Sequence, residues 1–126
     1  MITEDAIERA FAEAGEIPDD SALIVCCGWG KHWREPCFTS DAPYFSLGAM
    51  RRLIALAPRI LAADSPLWES RDDPQGFFPE FYAADILMLA PIVLTERPPD
   101  LHCRLTVLPL RVEGTPCAPC RAFLKF

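Results

Sequence analysis

The chain has 126 residues, one ordinary domain's worth, and 51% of them are apolar, enough to build a core without disulfide staples. It carries 12 basic and 18 acidic residues, a formal charge of −6. With no lysine-rich block, that balance speaks against nucleic acid or an anionic membrane as a partner and suits a soluble protein or one that docks another protein.

The first 14 residues predict a helix over 3–14. Ala6, Ile7, Ala10, Phe11 and Ala14 share one face, and Glu4, Asp5, Glu8 and Glu13 fall largely on the other. Acidic residues in the first turn suit the helix dipole. Gly15 stands where a capping glycine belongs. This N-terminus lacks a basic segment and an apolar segment of the secretory type. A cytoplasmic location is the expectation, with six cysteines serving as thiols or metal ligands rather than as three disulfides.

Residues 21–27, "SALIVCC", form a continuous apolar run between Asp-Asp and Gly28, the pattern of a buried strand. Residues 28–45 have no clear period and predict a long aromatic loop. Ser46 is placed to cap a second helix. Leu47, Met50, Leu53, Ile54, Ala57, Ile60 and Leu61 recur at spacings of three and four, with a kink expected at Pro58. A second long loop follows over 64–79, then a third helix from Glu80 to about Leu89, opened by Pro79.

The longest apolar run, 83–94, holds Asp85 and Pro91 and is too short to cross a bilayer. Residues 91–96 predict a strand, "RPPD" a turn, 101–112 a longer strand and 121–126 a last one. The apolar alternation shifts phase after Val107, which predicts a bulge near Leu108 and Pro109. Thirteen prolines keep the elements short. The expected fold is α+β in a single domain over 1–126. Two or three short helices pack on a small, mainly antiparallel sheet with a C-terminal β-meander.

Several chemistries fail on their motifs. "CCGWGKH" is no phosphate loop: Val25 replaces the first glycine and His32 the Ser/Thr. Cys117 and Cys120 in "PCAPC" match half of the zinc deaminase pattern, but neither His32 nor His102 has Glu two residues on. A strand pattern follows the Cys117–Cys120 pair, so a redox couple at a helix start is not expected either.

A structural Zn2+ site remains open, with Cys117 and Cys120 joined by ligands from the first loop, namely Cys27 or its neighbour Cys26 with His32 or Cys37. Cys103 and His102 lie too far along the predicted strand to join that pair. Cys37 with His32 or His102 is the one catalytic candidate, a cysteine nucleophile without a local signature.

The aromatic loops carry the leading functional expectation, a non-enzymatic inhibitor, immunity, adaptor or accessory protein that binds another protein. Trp29, Trp33, Arg34, Trp68, Phe77 and Phe78 are the expected contact residues. At least half of these aromatic side chains are expected to cover the core instead.

Overall fold

The computed structural model describes residues 1–94 and 99–126. The elements in chain order are α1 (Glu4–Ala14), β1 (Ala22–Val25), α2 (Leu47–Ile54), β2 (Ile60–Ala63), α3 (Phe78–Ala83), β3 (Leu87–Leu89), β4 (Arg104–Pro109) and β5 (Cys120–Lys125). Two 3-10 turns, Trp29–His32 and Pro36–Phe38, lie between β1 and α2. No described helix is long and apolar enough to cross a membrane.

The α+β class holds, with three short helices and antiparallel C-terminal strands. The sheet beside the helices, however, is parallel and runs β1-β2-β3. Its register pairs Ala22 with Ile60 and Ile60 with Leu87. The second sheet is a two-stranded ribbon of β4 and β5. Among the described residues the expected meander is therefore shorter by one strand. Its missing strand, 91–96, lies partly outside the described residues, and the turn at 97–100 does so too. The described part, 91–94, forms no strand, although the Ile92 N–H donates to Ala63 O at 2.9 Å.

Two predicted helices stop early. α2 ends at Ile54, and Ala57 takes a left-handed φ of 46° just before the buried Pro58. Residues 60–63, expected to continue that helix, form the central strand β2. A fully buried strand presents an unbroken apolar run, which extends a helical spacing by accident. α3 likewise ends at Ala83, Asp85 turns the chain with φ 57°, and 87–89 become β3. The expected bulge does not form either. Leu108 pairs with Arg121 and Pro109 with Cys120 in an unbroken register.

The helix starts follow their sequence signals. The Thr3 hydroxyl accepts from Ala6 N and that of Ser46 from Ala49 N. Gly15 closes α1 with φ 75°. α1 packs on α2, and an Arg52–Glu8 ion pair joins them at the surface. The core gathers Ile7 from α1, Met50 and Leu53 from α2, Leu61 from β2 and Phe81 from α3. Phe45, Trp68 and Phe77 close it from the loops. Each large side chain fully buried here contributes on the order of 1.5–3 kcal/mol.

Candidate functional site at the carboxyl edge of the parallel sheet

A parallel sheet delivers all its strand ends to one edge, where the loops that follow can converge. Here β1 leads into Cys26 and Cys27, and β2 leads into Asp64 and Ser65. Both Asp64 and Ser65 are wholly buried. Asp64 reaches across to the loop after β1. Its Oδ1 accepts from the Cys27 backbone N–H at 2.9 Å and from the Cys27 thiol at 2.8 Å. Its Oδ2 accepts from the Gly30 N–H at 3.2 Å. Every contact is a donor, so the carboxylate serves as an acceptor only. A buried carboxylate satisfied in this way fixes the loop to the sheet.

Gly30 is required by its surroundings. A Cβ there would lie 2.5 Å from the Leu94 carbonyl oxygen and 2.8 Å from the Leu94 nitrogen. The 92–94 segment therefore passes directly over the loop that Asp64 holds. Ser65 extends the lattice by donating to Pro43 O and accepting from Leu67 N at 3.2 Å.

Beyond Gly30 the loop makes its two 3-10 turns. The Trp29 ring packs on His32 with centroids 4.6 Å apart, and Trp29 Nε1 donates to Phe38 O at 2.9 Å. These contacts lock the first turn to the second. His32 Nδ1 lies 2.9 Å from Glu35 Oε2, and the Cys37 thiol donates to the same oxygen at 3.5 Å. The donor atoms of His32, Glu35 and Cys37 all lie within 4.8 Å of one another.

The thiols at this edge are not activated. Burial, then the Asp64 hydrogen bond and charge, push Cys27 up to about 12. Burial, then the charges of Asp64 and Cys103, push Cys26 up to about 11. Cys27 is exposed as a residue, but its thiol is turned in against the buried carboxylate. Cys37 is also raised, by desolvation and by its bond to Glu35. Glu35 in turn is held below the usual carboxylate range by His32 and then Cys37. A nucleophilic cysteine needs the opposite environment. Cys37 bonds a carboxylate here, and His32 turns its Nδ1 to that same carboxylate.

The other expected ligands are elsewhere. Cys117 and Cys120 are exposed, at the turn and the start of β5. Thr115 folds over Cys117, donating to its carbonyl at 2.7 Å and accepting from its N–H. Among the described residues, neither cysteine joins a group of three metal-binding side chains. Cys103 sits beyond the far end of the ribbon from Cys120, about 20 Å away at some 3.4 Å per residue. Its nearest effect is on Cys26, whose thiol it helps, after burial and Asp64, to push up.

The expected contact aromatics divide. Trp68 and Phe77 are 5% and 0% exposed, so as partner contacts they are corrected to core residues. Loop aromatics favour recognition surfaces, but both of these rings fold inward into the core with Leu61 and Phe81. Trp29 is half-buried against His32, and Phe78 half-buried against Tyr82. Trp33 is 45% exposed, with the Arg34 guanidinium 4.9 Å from its ring centroid. Sequence reasoning missed Asp64 and Glu35. Asp64 was foreseeable only once residues 60–63 were read as a strand, because an acidic residue directly after a buried strand has to find donors.

Fold and site together define an α+β unit with a parallel sheet whose strand-end loop is pinned by a buried aspartate. A family model described as putative cyclase matches residues 1–70, more than half of the chain, and the chain belongs to that family. No curated protein and no solved structure matches it.

Proposed function

We propose that the chain serves a cyclase-type enzyme, with the carboxyl edge of its parallel sheet as the reaction face. The observation that carries this is the extent of the family match. Residues 1–70 contain α1, β1, both 3-10 turns, α2, β2 and Asp64, which are the parts that build that edge. Ring closure requires the two ends of one molecule to be held together in a fixed geometry. A loop tied to a buried carboxylate is rigid in that sense, and ligands of open α/β sheets favour this edge. A recess of about 280 Å3 at the opposite edge, lined by Pro18, Leu23 and Pro58 among others, is the weaker candidate on that rule. Asp64 acts as a positioning residue, since its oxygens are already occupied by the loop. A cytoplasmic setting suits the six unbridged cysteines.

The test is a panel of small open-chain and cyclic carboxylic acid derivatives, followed by mass spectrometry for gain or loss of one water. Turnover that survives Cys117→Ser and falls with Asp64→Asn supports the reading. Failure of every pair, with and without added divalent metal, counts against it.

A second reading keeps the role of binding another protein. It is favoured by the ribbon, where Leu108, Leu110, Val112, Phe123 and Phe126 are 47–62% exposed. Apolar surface grouped in this way commonly marks an interaction site. Phe123 and Leu108 share a ribbon face with Arg104, Arg121 and Lys125, so an acidic partner would fit it. Analytical ultracentrifugation and pull-down of wild type against Phe123→Glu and Trp33→Ala would locate the surface. Recovery of the same partners by both variants would remove this reading.

A further inference from the structure

We infer that His32, Glu35 and Cys37 form a binding site for one divalent cation of the zinc class. This goes beyond the enzymatic reading and stands without it. In a tetrahedral zinc centre, with bonds of about 2.0 Å to nitrogen and oxygen and about 2.3 Å to sulfur, neighbouring donors stand roughly 3.3–3.7 Å apart. The Cys37 sulfur and Glu35 oxygen are already 3.5 Å apart. The His32 nitrogen and Glu35 oxygen, at 2.9 Å, have to part by only a few tenths of an ångström.

The donor set is selective. One imidazole, one carboxylate and one thiolate make a borderline-soft site that suits zinc and disfavours magnesium or calcium, which demand oxygen donors. Two negative ligands also neutralise a divalent ion. Glu35 is exposed, so the fourth vertex opens to water or to a donor from another molecule.

The backbone is organised for this before any ion arrives. Glu35 N donates to His32 O at 2.8 Å, and Phe38 N donates to Glu35 O at 3.0 Å. The Trp29 contacts hold the two turns together, and Asp64 holds the start of the loop. Pre-formed ligand positions of this kind lower the ordering cost of binding.

Binding is balanced as follows. The Cys37 thiol loses its proton to solvent and its sulfur takes the metal. His32 moves its ring proton to Nε2, leaving the Nδ1 lone pair for the ion. One proton leaves for each metal bound, and metal occupancy rises with pH.

The experiment uses the full reduced chain. Zn2+ stoichiometry is read by native mass spectrometry and proton release with an indicator dye. Co2+ serves as the spectroscopic probe for a thiolate ligand. One metal and about one proton per chain are expected. The Cys117→Ser/Cys120→Ser double variant should bind unchanged. Cys37→Ser, His32→Ala and Glu35→Gln should each weaken binding by about 100-fold or more. Zn2+ protection of Cys37 from alkylation in the wild-type chain gives a readout that no variant's folding can disturb. Absence of binding at equimolar Zn2+, Cys37 alkylation unaffected by Zn2+, or binding that persists in Cys37→Ser and vanishes in the double variant each overturns the proposal.

Discussion

Replacing Asp64 by alanine should destabilise the protein by about 1–4 kcal/mol. The figure is built from the contacts at the carboxylate. The Gly30 N–H belongs to a buried residue and loses its acceptor, which costs about 1–3 kcal/mol. The Cys27 N–H sits on an exposed residue and can turn to water, so its loss is worth well under that. The void left at a site with 0% exposure adds about another 1 kcal/mol, and relief of burying a charge subtracts a comparable amount.

For a chain of this length the loss corresponds to a fall of roughly 4–16 °C in Tm. Urea denaturation at pH 7, followed by tryptophan fluorescence, reads it directly. Asp64→Asn should fall between wild type and alanine, because its amide retains one acceptor oxygen and turns an N–H toward a backbone donor. A double-mutant cycle with Cys27→Ala isolates the thiol's share. If Asp64→Ala is within 0.5 kcal/mol of wild type, a threshold set by ordinary surface substitutions, the loop is not held by this carboxylate.

Gly30→Ala should cost about 1–3 kcal/mol, since the new methyl meets backbone rather than a mobile side chain; the urea midpoint measures it. Thr3→Ala should cost about 1 kcal/mol and fray the start of α1, which amide hydrogen exchange at residues 4–7 would reveal. The thiols of Cys26 and Cys27 hold their protons more tightly when folded than at the ordinary value of 9.0, so stability is intact below pH 9 and declines as pH rises toward 11–12. Cys27→Ala should flatten that decline in a pH series of thermal melts. Alkylation at pH 8 should accordingly label Cys117 and Cys120 ahead of Cys26 and Cys27, as followed by peptide mass spectrometry.

Local signals made part of this fold legible. Thr3 and Gly15 bracket α1 because capping depends on neighbours a few residues away. "ALIV" forms a strand, as β-branched residues between two turn signals favour, but at the edge of the sheet it is half-buried rather than buried as its apolar run suggests. What depends on the rest of the chain was not legible. Residues 60–63 kept a helical spacing, and only the tertiary placement of β2 between β1 and β3 makes them a strand. The antiparallel pairing of the C-terminal strands holds, but the parallel sheet is not legible for the same reason, since β2 and β3 both lie in apolar runs of helical spacing.

Of the candidate site, His32 and Cys37 were visible as residue types. Glu35 between them looked like an ordinary surface charge, and its role needs the two 3-10 turns that fold it back. Trp68 and Phe77 illustrate the converse. A polar loop in sequence can carry core side chains when it crosses the open face of a small sheet.

The ribbon of β4 and β5 has a consequence for how the molecule comes apart. Its strands contact each other far more than anything else, with His102 Nε2 against Ala14 O as one tie to the helices. Its pairing closes over a short turn, from Pro109 to Cys120, whereas Ala22 finds Ile60 only after 38 residues. Local closure is quick and distant closure slow, so the two sheets belong to different folding regimes. A two-stranded ribbon is also marginal alone. Its amides should exchange through frequent small openings while those of β1 and β2 wait for the whole core to unfold, giving one chain two clocks.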